Sequence, residues 1–190
     1  MILLSTNRLT LSPPSPSHAE ELLRYYTRNR IHFKRWEPKR DDDFFTVDAM
    51  EGRIHAMVGA TEAQQSLHLL LRDNSSGAMI GECGFTNIVR GSFQACHLGF
   101  SLDHEFQGQG LMHEALTCAI GFVFSTLELH RIMANYRPEN IRSHVLLQRL
   151  GFQQEGRAAS YLKIDGEWRD HVLSSLINPS DRQLNKKLIE

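Results

Sequence analysis

The sequence predicts an α/β fold, of the α+β kind, in which helices flank one central sheet. Short apolar runs bounded by turn-forming residues alternate along the chain with longer stretches whose apolar residues recur at helical spacing. The chain has 190 residues and 41% apolar content, which suits one compact domain because a domain of about this size buries roughly 70% of its unfolded surface. We therefore expect a single layered domain without an internal linker.

The N-terminal part of the chain predicts one strand and two helices. Residues 8–12 read as a strand, and residues 17–28 read as a helix with Ser17 as its N-cap and Glu20 at the third helical position. A charged loop that contains a tryptophan follows, and a second helix is predicted over about residues 47–64. The charged loop is therefore expected to connect the first two helices.

The rest of the chain predicts six more strands and two more helices. Three strands come first, at about residues 67–71, 78–89 and 94–102, joined by turns at 73–77 and 90–91. They are followed by a helix at 111–126, a strand at 131–136, a helix at 141–150, and strands at 153–162 and 169–176. Gly151 is typical of a helix end, and the Ile164-Asp-Gly-Glu167 segment predicts a turn between the last two strands.

A glycine loop, Gln107-Gly-Gln-Gly110, separates the strand that ends near Leu102 from the helix that starts at Leu111. Glycine lets the backbone turn sharply and approach a ligand, and the free N–H groups of a helix start favour an anion. A bound diphosphate is one interpretation of this loop, and a simple tight turn is the other. The dinucleotide fingerprint fits poorly because its third glycine would fall on His113, and no Gly-Lys-Ser/Thr is present for a nucleotide P-loop.

Two blocks of sequence resemble the GCN5-related N-acetyltransferase (GNAT) superfamily. The segment from Gln107 to Leu111 is similar to the Gln/Arg-x-x-Gly-x-Gly/Ala loop with which that family binds acetyl-coenzyme A, although Met112 occupies the usual Gly/Ala position. Asn140-Ile-Arg-Ser143 and Arg149-Leu-Gly-Phe152 are similar to the region that approaches the thiol end of the coenzyme. The resemblance implies a mixed, mostly antiparallel sheet flanked by helices, with two strands splayed apart at the acetyl-coenzyme A site.

The resemblance also implies which residues contact acetyl-coenzyme A, the expected co-substrate. Leu98, Gly99 and Phe100 would offer backbone groups to the pantetheine arm and the acetyl oxygen, and Asn140 would hold that arm. The diphosphate would lie against the loop residues Gln107, Gly108, Gln109, Gly110, Leu111 and Met112. Considered without the resemblance, Gly99 could form a bulge in the sheet and Asn140 could be an ordinary N-cap.

Five further segments are similar to the RimJ type within this superfamily, namely residues 35–38, 87–96, 110–116, 130–136 and 164–172. The similarity covers about residues 6–178, which predicts one GNAT domain there and a polar tail at 179–190. Enzymes of this type acetylate the N-terminal alanine of ribosomal small-subunit protein five. The resemblance therefore implies direct acetyl transfer, in a ternary complex, to the N-terminus of a ribosomal protein.

Acetyl transfer from a thioester needs a neutral amine, a stabilised oxyanion and a proton for the leaving thiolate. The resemblance implies that Ser143 faces the sulfur and donates this proton. Some relatives have a catalytic carboxylate just before the tyrosine that corresponds to Tyr161, but this chain has Ser160 there. Glu82 on a central strand and Glu105 beside the glycine loop remain as candidate bases that act through water, and either could instead be structural.

The chemistry of the acceptor makes a weak base sufficient. A peptide α-amino group has a pKa near 7.7 to 8.0, so roughly a tenth or more is neutral at pH 7, whereas a lysine is neutral only about once in 2,500. The lack of an obvious strong base therefore favours an α-amine acceptor.

Trp36, Glu37 and Tyr161 are the predicted acceptor-binding residues. Trp36 and Glu37 lie in the loop between the first two helices, which overhangs the acceptor in this superfamily. Glu37 is expected to orient the ammonium group of the peptide, and Tyr161 to help close the groove. Trp36 could alternatively plug the core.

Cysteine usage and charge exclude several other classes of protein. Cys83, Cys96 and Cys118 have no paired spacing and predict reduced core residues, and the ten histidines show no metal-ligand spacing, so no metal is expected. A net charge of −1 gives no reason to expect direct DNA binding.

No apolar run approaches the roughly 20 residues of a membrane helix, and no secretory leader is evident. A cytoplasmic protein without membrane contact is expected.

A basic stretch spans residues 24–40 and is followed at once by Asp41-Asp-Asp43. It is either a loop whose charges compensate one another or a patch that meets ribosomal RNA or an acidic surface. Two rival functions remain open at this point. The first is acetylation of a small-molecule amine, and the second is a ribosome-associated assembly factor that binds acetyl-coenzyme A only as a regulator.

Overall fold

The computed structural model describes residues 2–181 and confirms the mixed α/β prediction. Four helices flank one sheet: α1 (Ala19–Lys34), α2 (Val47–Glu62), α3 (Leu111–Ser125) and α4 (Ile141–Arg149). The sheet has eight strands: β1 (Leu4–Ser5), β2 (Leu9–Ser12), β3 (Leu67–Asp73), β4 (Met79–Val89), β5 (Ala95–Leu102), β6 (Arg131–Met133), β7 (Gln153–Ile164) and β8 (Glu167–Ile177). Among residues 2–181, no helix has the length and apolar content needed to cross a bilayer.

The strands are ordered β1-β2-β3-β4-β5-β6-β8-β7, and all neighbours are antiparallel except β5 and β6. The parallel pair has only three matched positions, Ala95 with Arg131, Cys96 with Ile132, and His97 with Met133. Beyond His97, β5 continues to Leu102 without β6 beside it. The sheet therefore opens between these two strands, as the predicted splay requires.

The two faces of the sheet pack against different helices. Alternation along β4 turns Cys83 and Phe85 toward α3, where they join the larger hydrophobic cluster. The opposite face packs against α1 and α2 through a second cluster that includes Tyr25, Tyr26 and Met50. Side chains of β4 and β5 that point to this second face therefore face α1 and α2.

Helix α1 starts and ends later than the sequence suggested. A 3-10 turn at Pro16–His18 precedes it, and the N-cap of that turn is Ser15, whose backbone N–H donates to His18 Nδ1 at 2.9 Å. The predicted Ser17 cap is therefore wrong. The capping box is formed by Ser15 and His18, and not by Ser17 and Glu20. The helix runs to Lys34 because Asn29 and Phe33 continue its buried face.

The second half of the chain differs from its prediction at two places. Strand β6 stops at Met133, and Tyr136 adds only an isolated bridge to Val172. Strands β7 and β8 are longer than expected and are joined by Asp165 and Gly166, whose φ angles of 45° and 83° are the left-handed pair typical of a tight hairpin turn. The hairpin therefore reaches further toward the loop between α1 and α2.

The predicted tail at 179–190 falls only partly within the described residues. Residues 179–181 have helical backbone rather than an irregular conformation, and Asn178 Oδ1 caps them by accepting from Ser180 N at 3.1 Å. Residues 182–190 lie outside the described part of the chain.

Candidate active site

The glycine loop leads into α3 with its backbone groups exposed. Gly108 and Gly110 have φ angles of 78° and 77°, a conformation that favours glycine, and Gly110 is the N-cap of α3. Since this N-cap has no side chain, the first N–H groups of α3 are left for water or an anion. Leu111 and Met112 bury their side chains in the core, so both present only backbone to a ligand.

A charged clamp holds this loop from the N-terminal strands. Arg8 donates from Nε and Nη2 to Glu114 Oε2, both at 2.7 Å, and from Nη1 to the carbonyl oxygen of Gln109 at 3.0 Å. Thr6 Oγ1 donates to Glu114 Oε1 at 2.6 Å. The hydrogen bond from Thr6 is the largest cause that keeps the pKa of Glu114 below its usual value, and the hydrogen bonds and charge of Arg8 add to it. The clamp thus joins the turn between β1 and β2, the glycine loop and the first turn of α3.

The open edge of β5 continues from this loop. Gly99 is exposed, and a Cβ added there would meet no atom within 4 Å, so the backbone borders free space. Gly99 pairs with Gly84 in a register that is continuous from Gly81 to Thr86, so it is not a bulge. Leu98 is buried and Phe100 half-buried, which leaves chiefly their backbone groups for a ligand. The backbone at Gly99 is therefore accessible from the open side of β5.

Helix α4 supplies the other wall of the opening. Asn140 is its N-cap, and its Oδ1 accepts from Ser143 N at 3.1 Å. The capping interpretation is therefore confirmed, and the Nδ2 group of Asn140 has no hydrogen-bond partner among residues 2–181. Ser143 is half-buried, and its hydroxyl makes no hydrogen bond with any residue in the range 2–181.

Four polar side chains meet on the α1–α2 face of the sheet. Glu82 on β4 accepts a hydrogen bond from Tyr26 OH on α1, and also one from Arg53 Nη2 on α2 at 3.1 Å. Arg53 Nη2 donates to Tyr26 OH as well, at 3.0 Å. Glu37 belongs to the same field, because its charge interacts with those of Glu82 and Arg53. We call Tyr26, Glu37, Arg53 and Glu82 the acidic cluster.

Burial makes Glu37 a carboxyl group that titrates near neutrality. Desolvation is the largest cause that raises the pKa of Glu37, to about 7, and the charge of Glu82 adds to it. Arg40, whose Nη2 lies 3.8 Å from Glu37 Oε2, and Arg53 oppose the shift. Burial and the charge of Glu82 also raise the pKa of Tyr26, so its hydroxyl stays protonated and donates.

The acidic cluster adjoins the open edge of the sheet. Glu82 faces Ser101 across β4 and β5, and Ser101 Oγ is hydrogen-bonded to Tyr25 OH at 2.9 Å. Ser101 lies two residues after Gly99 on the same strand. The strand edge that borders the opening therefore also carries the residue that pairs with Glu82.

The loop after α1 is tied to the elements on the far side of the opening. Trp36 lies between two guanidinium groups, with Arg35 at 4.2 Å and Arg137 at 5.6 Å from its ring centre. It is half-buried and outside both hydrophobic clusters, so it does not plug the core. The carbonyl oxygen of Glu37 accepts from Asp165 N at the tip of the β7–β8 hairpin, at 3.0 Å.

Tyr161 lies on the hairpin that forms this far wall. Its hydroxyl accepts from Asn135 Nδ2 at 3.1 Å, and its ring centre lies 5.5 Å from that of His171. A cavity of about 430 Å³ lies beneath the loop, where Tyr26, Phe33, Glu37 and Arg40 line it. The loop, the hairpin and the acidic cluster thus enclose one side of the site.

The structure separates the two carboxylates that sequence reasoning proposed as bases. Glu105 is exposed on the 3-10 turn after β5, where its backbone N–H donates to Asp103 Oδ1 at 3.1 Å. Glu82 lies inside the acidic cluster. Within residues 2–181, no three His, Cys, Asp or Glu side chains converge as metal ligands.

Sequence reasoning did not identify Arg53 or Arg8. A signal for Arg53 exists, because it lies between the buried Met50 and Ile54 of α2 and is a cation beside an apolar helical face. Arg8 has no such signal, since its partner Glu114 is over a hundred residues away in sequence.

The basic stretch at 24–40 is largely neutralised within the molecule. Five of its seven cations form ion pairs: Arg24 with Glu20, Arg28 with Asp103, Arg30 with Asp42, Lys39 with Asp41, and Arg40 with Glu37. The pairing favours the compensated interpretation over a patch for nucleic acid.

Comparison with known proteins relates this geometry to a family. The model of the acetyltransferase (GNAT) domain matches residues 8–153. The chain is 44% identical over 176 residues to the ribosomal protein uS5-alanine N-acetyltransferase of Escherichia coli K12, covering 93% of this chain and 91% of that protein.

Two solved structures are similar over almost the whole chain. The ribosomal-protein-S5-alanine acetyltransferase from Vibrio fischeri superposes with a TM-score of 0.89 at 37% identity, covering 94% of this chain and 98% of the other. Mycobacterium smegmatis RimJ in complex with CoA-disulfide superposes with a TM-score of 0.86 at 26% identity, covering 90% and 83% of the two chains.

Proposed function

The chain belongs to the acetyltransferase (GNAT) family, and we propose that it transfers acetyl from acetyl-coenzyme A to the α-amino group of the N-terminal alanine of ribosomal protein uS5. The observation that carries the proposal is the open edge of β5, which runs from the glycine loop past Gly99 to the strand partner of Glu82. The similarity to uS5-alanine N-acetyltransferases supports the acceptor. Such an acceptor belongs to the cytoplasm.

The coenzyme site proposed here consists mainly of backbone. The N–H groups of the glycine loop and the first turn of α3 bind the diphosphate, because the N-cap Gly110 has no side chain to accept from them and they lie at the positive end of the helix dipole. The edge at Leu98–Phe100 pairs with the pantetheine amides, and Asn140 Nδ2 adds a side-chain donor. Ser143 faces the sulfur with a hydroxyl that has no competing partner among residues 2–181.

Acetyl-coenzyme A supplies a thioester that is already activated, so the chain's own residues have to position the amine and move two protons. Glu37 and Glu82 attract the peptide ammonium group into the space beside β5. Glu82 then takes the ammonium proton through water, and the neutral nitrogen attacks the carbonyl carbon. The carbon–sulfur bond breaks as Ser143 gives its hydroxyl proton to the departing thiolate, and the second proton that the nitrogen releases returns to the Ser143 oxygen.

Within the acidic cluster, the two carboxylates are suited to different tasks. Glu82 is bound by Tyr26 and Arg53, which fix its position on the central strand. Glu37 binds the ammonium group, and its pKa of about 7 lies close to that of a peptide α-amine. A proton can therefore be shared between Glu37 and an N-terminal amine, whereas a lysine, whose pKa is near 10.4, keeps its proton.

The proposal is tested with acetyl-coenzyme A and two peptides that match the mature N-terminus of uS5. One peptide has a free α-amine and the other is blocked, and thiol release and peptide mass are followed together. Acetylation of the free peptide alone is the expected result. Acetylation of an internal lysine, or turnover with small amines but not with the peptide, would refute the assignment.

A further inference from the structure

The carboxamide of Gln107 is held from three sides. Its Nε2 lies 3.2 Å from the carbonyl oxygen of Leu102 and 2.8 Å from Nε2 of His32, and its Oε1 accepts from Arg142 Nη1. Leu102 ends β5, His32 lies near the end of α1, and Arg142 lies in the first turn of α4. One side chain therefore joins three elements at the first residue of the glycine loop.

Two of these contacts fix the orientation of the amide. A carbonyl oxygen can only accept a hydrogen bond, and a guanidinium group can only donate one. The NH₂ of Gln107 must therefore face Leu102, and its oxygen must face Arg142. A flipped carboxamide would set oxygen against oxygen and N–H against N–H, so the usual ambiguity of a glutamine side chain is removed by its neighbours.

The contact with His32 then has only one chemical form. The amide nitrogen has two hydrogens to donate and cannot accept, so His32 must accept at Nε2. His32 is therefore neutral in this arrangement, with its proton on Nδ1. Protonation of the ring would place an N–H against the amide N–H and remove the hydrogen bond.

The groups around His32 mostly oppose its protonation. Burial is the largest cause that lowers the pKa of His32, and His104, Arg142 and Arg35 act in the same direction, whereas Asp103 opposes them. The ring centre of His104 lies 6.1 Å from that of His32. These charges come from the turn after β5, from α4 and from the C-cap of α1. The neutral form is thus the favoured one near neutral pH.

We propose that His32 is a positioning residue for the coenzyme, which holds the Gln107 carboxamide and through it the start of the glycine loop. The inference rests on the proposed coenzyme site and adds to it a residue from α1, far from the loop motif in sequence. His32 does not contact the reacting atoms. When the ring is protonated at acidic pH, the loop loses one of its three ties and its affinity for the coenzyme falls.

The test is the affinity of the full chain for coenzyme A, measured by calorimetry at about pH 5 and about pH 8. His32→Leu removes the acceptor. His32→Gln offers a carbonyl oxygen near the position of Nε2 and does not titrate. His55→Leu is the matched control, because His55 is an exposed residue of α2.

The variants are expected to differ both in affinity and in its dependence on pH. The wild type binds about three- to tenfold more weakly at the acidic pH, which corresponds to the loss of one hydrogen bond. His32→Leu shows this weaker binding at both pH values. His32→Gln keeps the alkaline affinity at both, and His55→Leu follows the wild type. Because the phosphates of the ligand titrate equally in every measurement, the differences between variants carry the result.

Steady-state kinetics give a second readout that a general loss of structure would not reproduce. His32→Leu is expected to raise the KM for acetyl-coenzyme A about three- to tenfold and to leave the KM for the peptide unchanged. If His32→Leu fails to fold, the flat pH profile of His32→Gln still decides the question.

Three outcomes overturn the inference. His32→Leu could bind with the affinity and pH dependence of the wild type, which would mean that the tie has no effect. Acid could strengthen binding in the wild type alone, which would mean that a charged His32 attracts the diphosphate directly. Failure of every form, including the wild type, to bind coenzyme A would refute the proposed coenzyme site together with the inference.

Discussion

The coenzyme side and the acceptor side of the site use different parts of the chain. On the coenzyme side, the groups left for a ligand are backbone groups of the glycine loop and of β5 around Gly99, and the neighbouring side chains are buried or bonded to each other. On the acceptor side, they are side chains brought together from α1, the following loop, α2 and β4. A backbone site depends on local conformation, whereas the properties of the acidic cluster depend on how distant elements pack.

The largest expected effect tests whether the acidic cluster acts on the acceptor alone. In Glu82→Gln, kcat/KM for the peptide is expected to fall about 100-fold or more, because the cluster loses the carboxylate that Tyr26 and Arg53 hold in place. The affinity for coenzyme A, measured by titration, is expected to stay within about twofold.

Glu105→Gln is the comparison for this variant. The exposed carboxylate of Glu105 lies outside the acidic cluster, so most of the activity is expected to remain. Equal losses in the two variants, or a coenzyme affinity that falls with Glu82→Gln, would contradict the separation between the two sides.

A smaller effect is expected where the coenzyme side takes part in the chemistry. Ser143→Ala should lower kcat about ten- to a hundredfold with little change in the KM for acetyl-coenzyme A, since water can replace a lost proton donor only partly. Burst-phase measurement of thiol release separates this step from product release. Full turnover by Ser143→Ala would rule out its role as the acid.

Asn140→Ala, in the same helix turn as Ser143, should show the reverse pattern. Coenzyme binding is expected to weaken, and about 1 kcal/mol is lost from the α4 cap.

The smallest kinetic effect sharpens the description of the acceptor side. Glu37→Gln is expected to raise the KM for the peptide about tenfold, because a charge that attracts the ammonium group is lost, and to leave the KM for acetyl-coenzyme A unchanged. The wild-type kcat/KM for the peptide should fall as pH drops below about 7, the pKa of Glu37, and this decline should be absent from the variant. An equal change in both KM values would contradict the proposed role of Glu37 in binding the peptide ammonium group.

The same substitution has an expected signature in stability. A glutamate in an unfolded chain titrates near 4.3, whereas Glu37 in the fold titrates at about 7. Between these values the folded state binds a proton that the unfolded state does not, so the wild type loses stability as pH rises through this window. Glu37→Gln should therefore be more stable than the wild type at about pH 8, by on the order of 1 to 3 kcal/mol, and equally stable at about pH 4. Urea unfolding at the two pH values measures the difference.

The contrast between the two sides also explains what could be predicted from sequence. The sharp turn at Gly108 and Gly110 can be predicted, because a glycine loop between a strand and a helix has few conformations. The strand and the helix themselves follow from apolar periodicity. The end of α1 was placed too early, because the charges after Arg28 suggested a loop while the burial of Phe33 continues the helix. The local sequence pattern thus predicts the conformation of the glycine loop correctly, whereas tertiary packing overrides it at the end of α1.

The acidic cluster could not be assembled from sequence in the same way. Glu37 and Glu82 were chosen as single residues, but the pKa of Glu37 depends on burial beneath the loop and on the opposing charge of Arg53. His32 shows the same limit, because its link to the glycine loop is a contact with the side chain of Gln107, which lies 75 residues away in sequence. Such contacts join residues that are far apart in the chain, and no spacing rule identifies them.

The short pairing between β5 and β6 has a consequence for how the sheet forms. Strands β3, β4 and β5 are consecutive antiparallel hairpin partners and can assemble locally, whereas β6 reaches β5 only after the chain has closed a loop that contains all of α3. Closing that loop has an entropic cost that three paired residues offset only weakly. The β5–β6 junction is therefore a thinly paired part of the sheet, and a coenzyme bound across it would add contacts between strands β1–β5 and strands β6–β8 that the sheet itself does not supply.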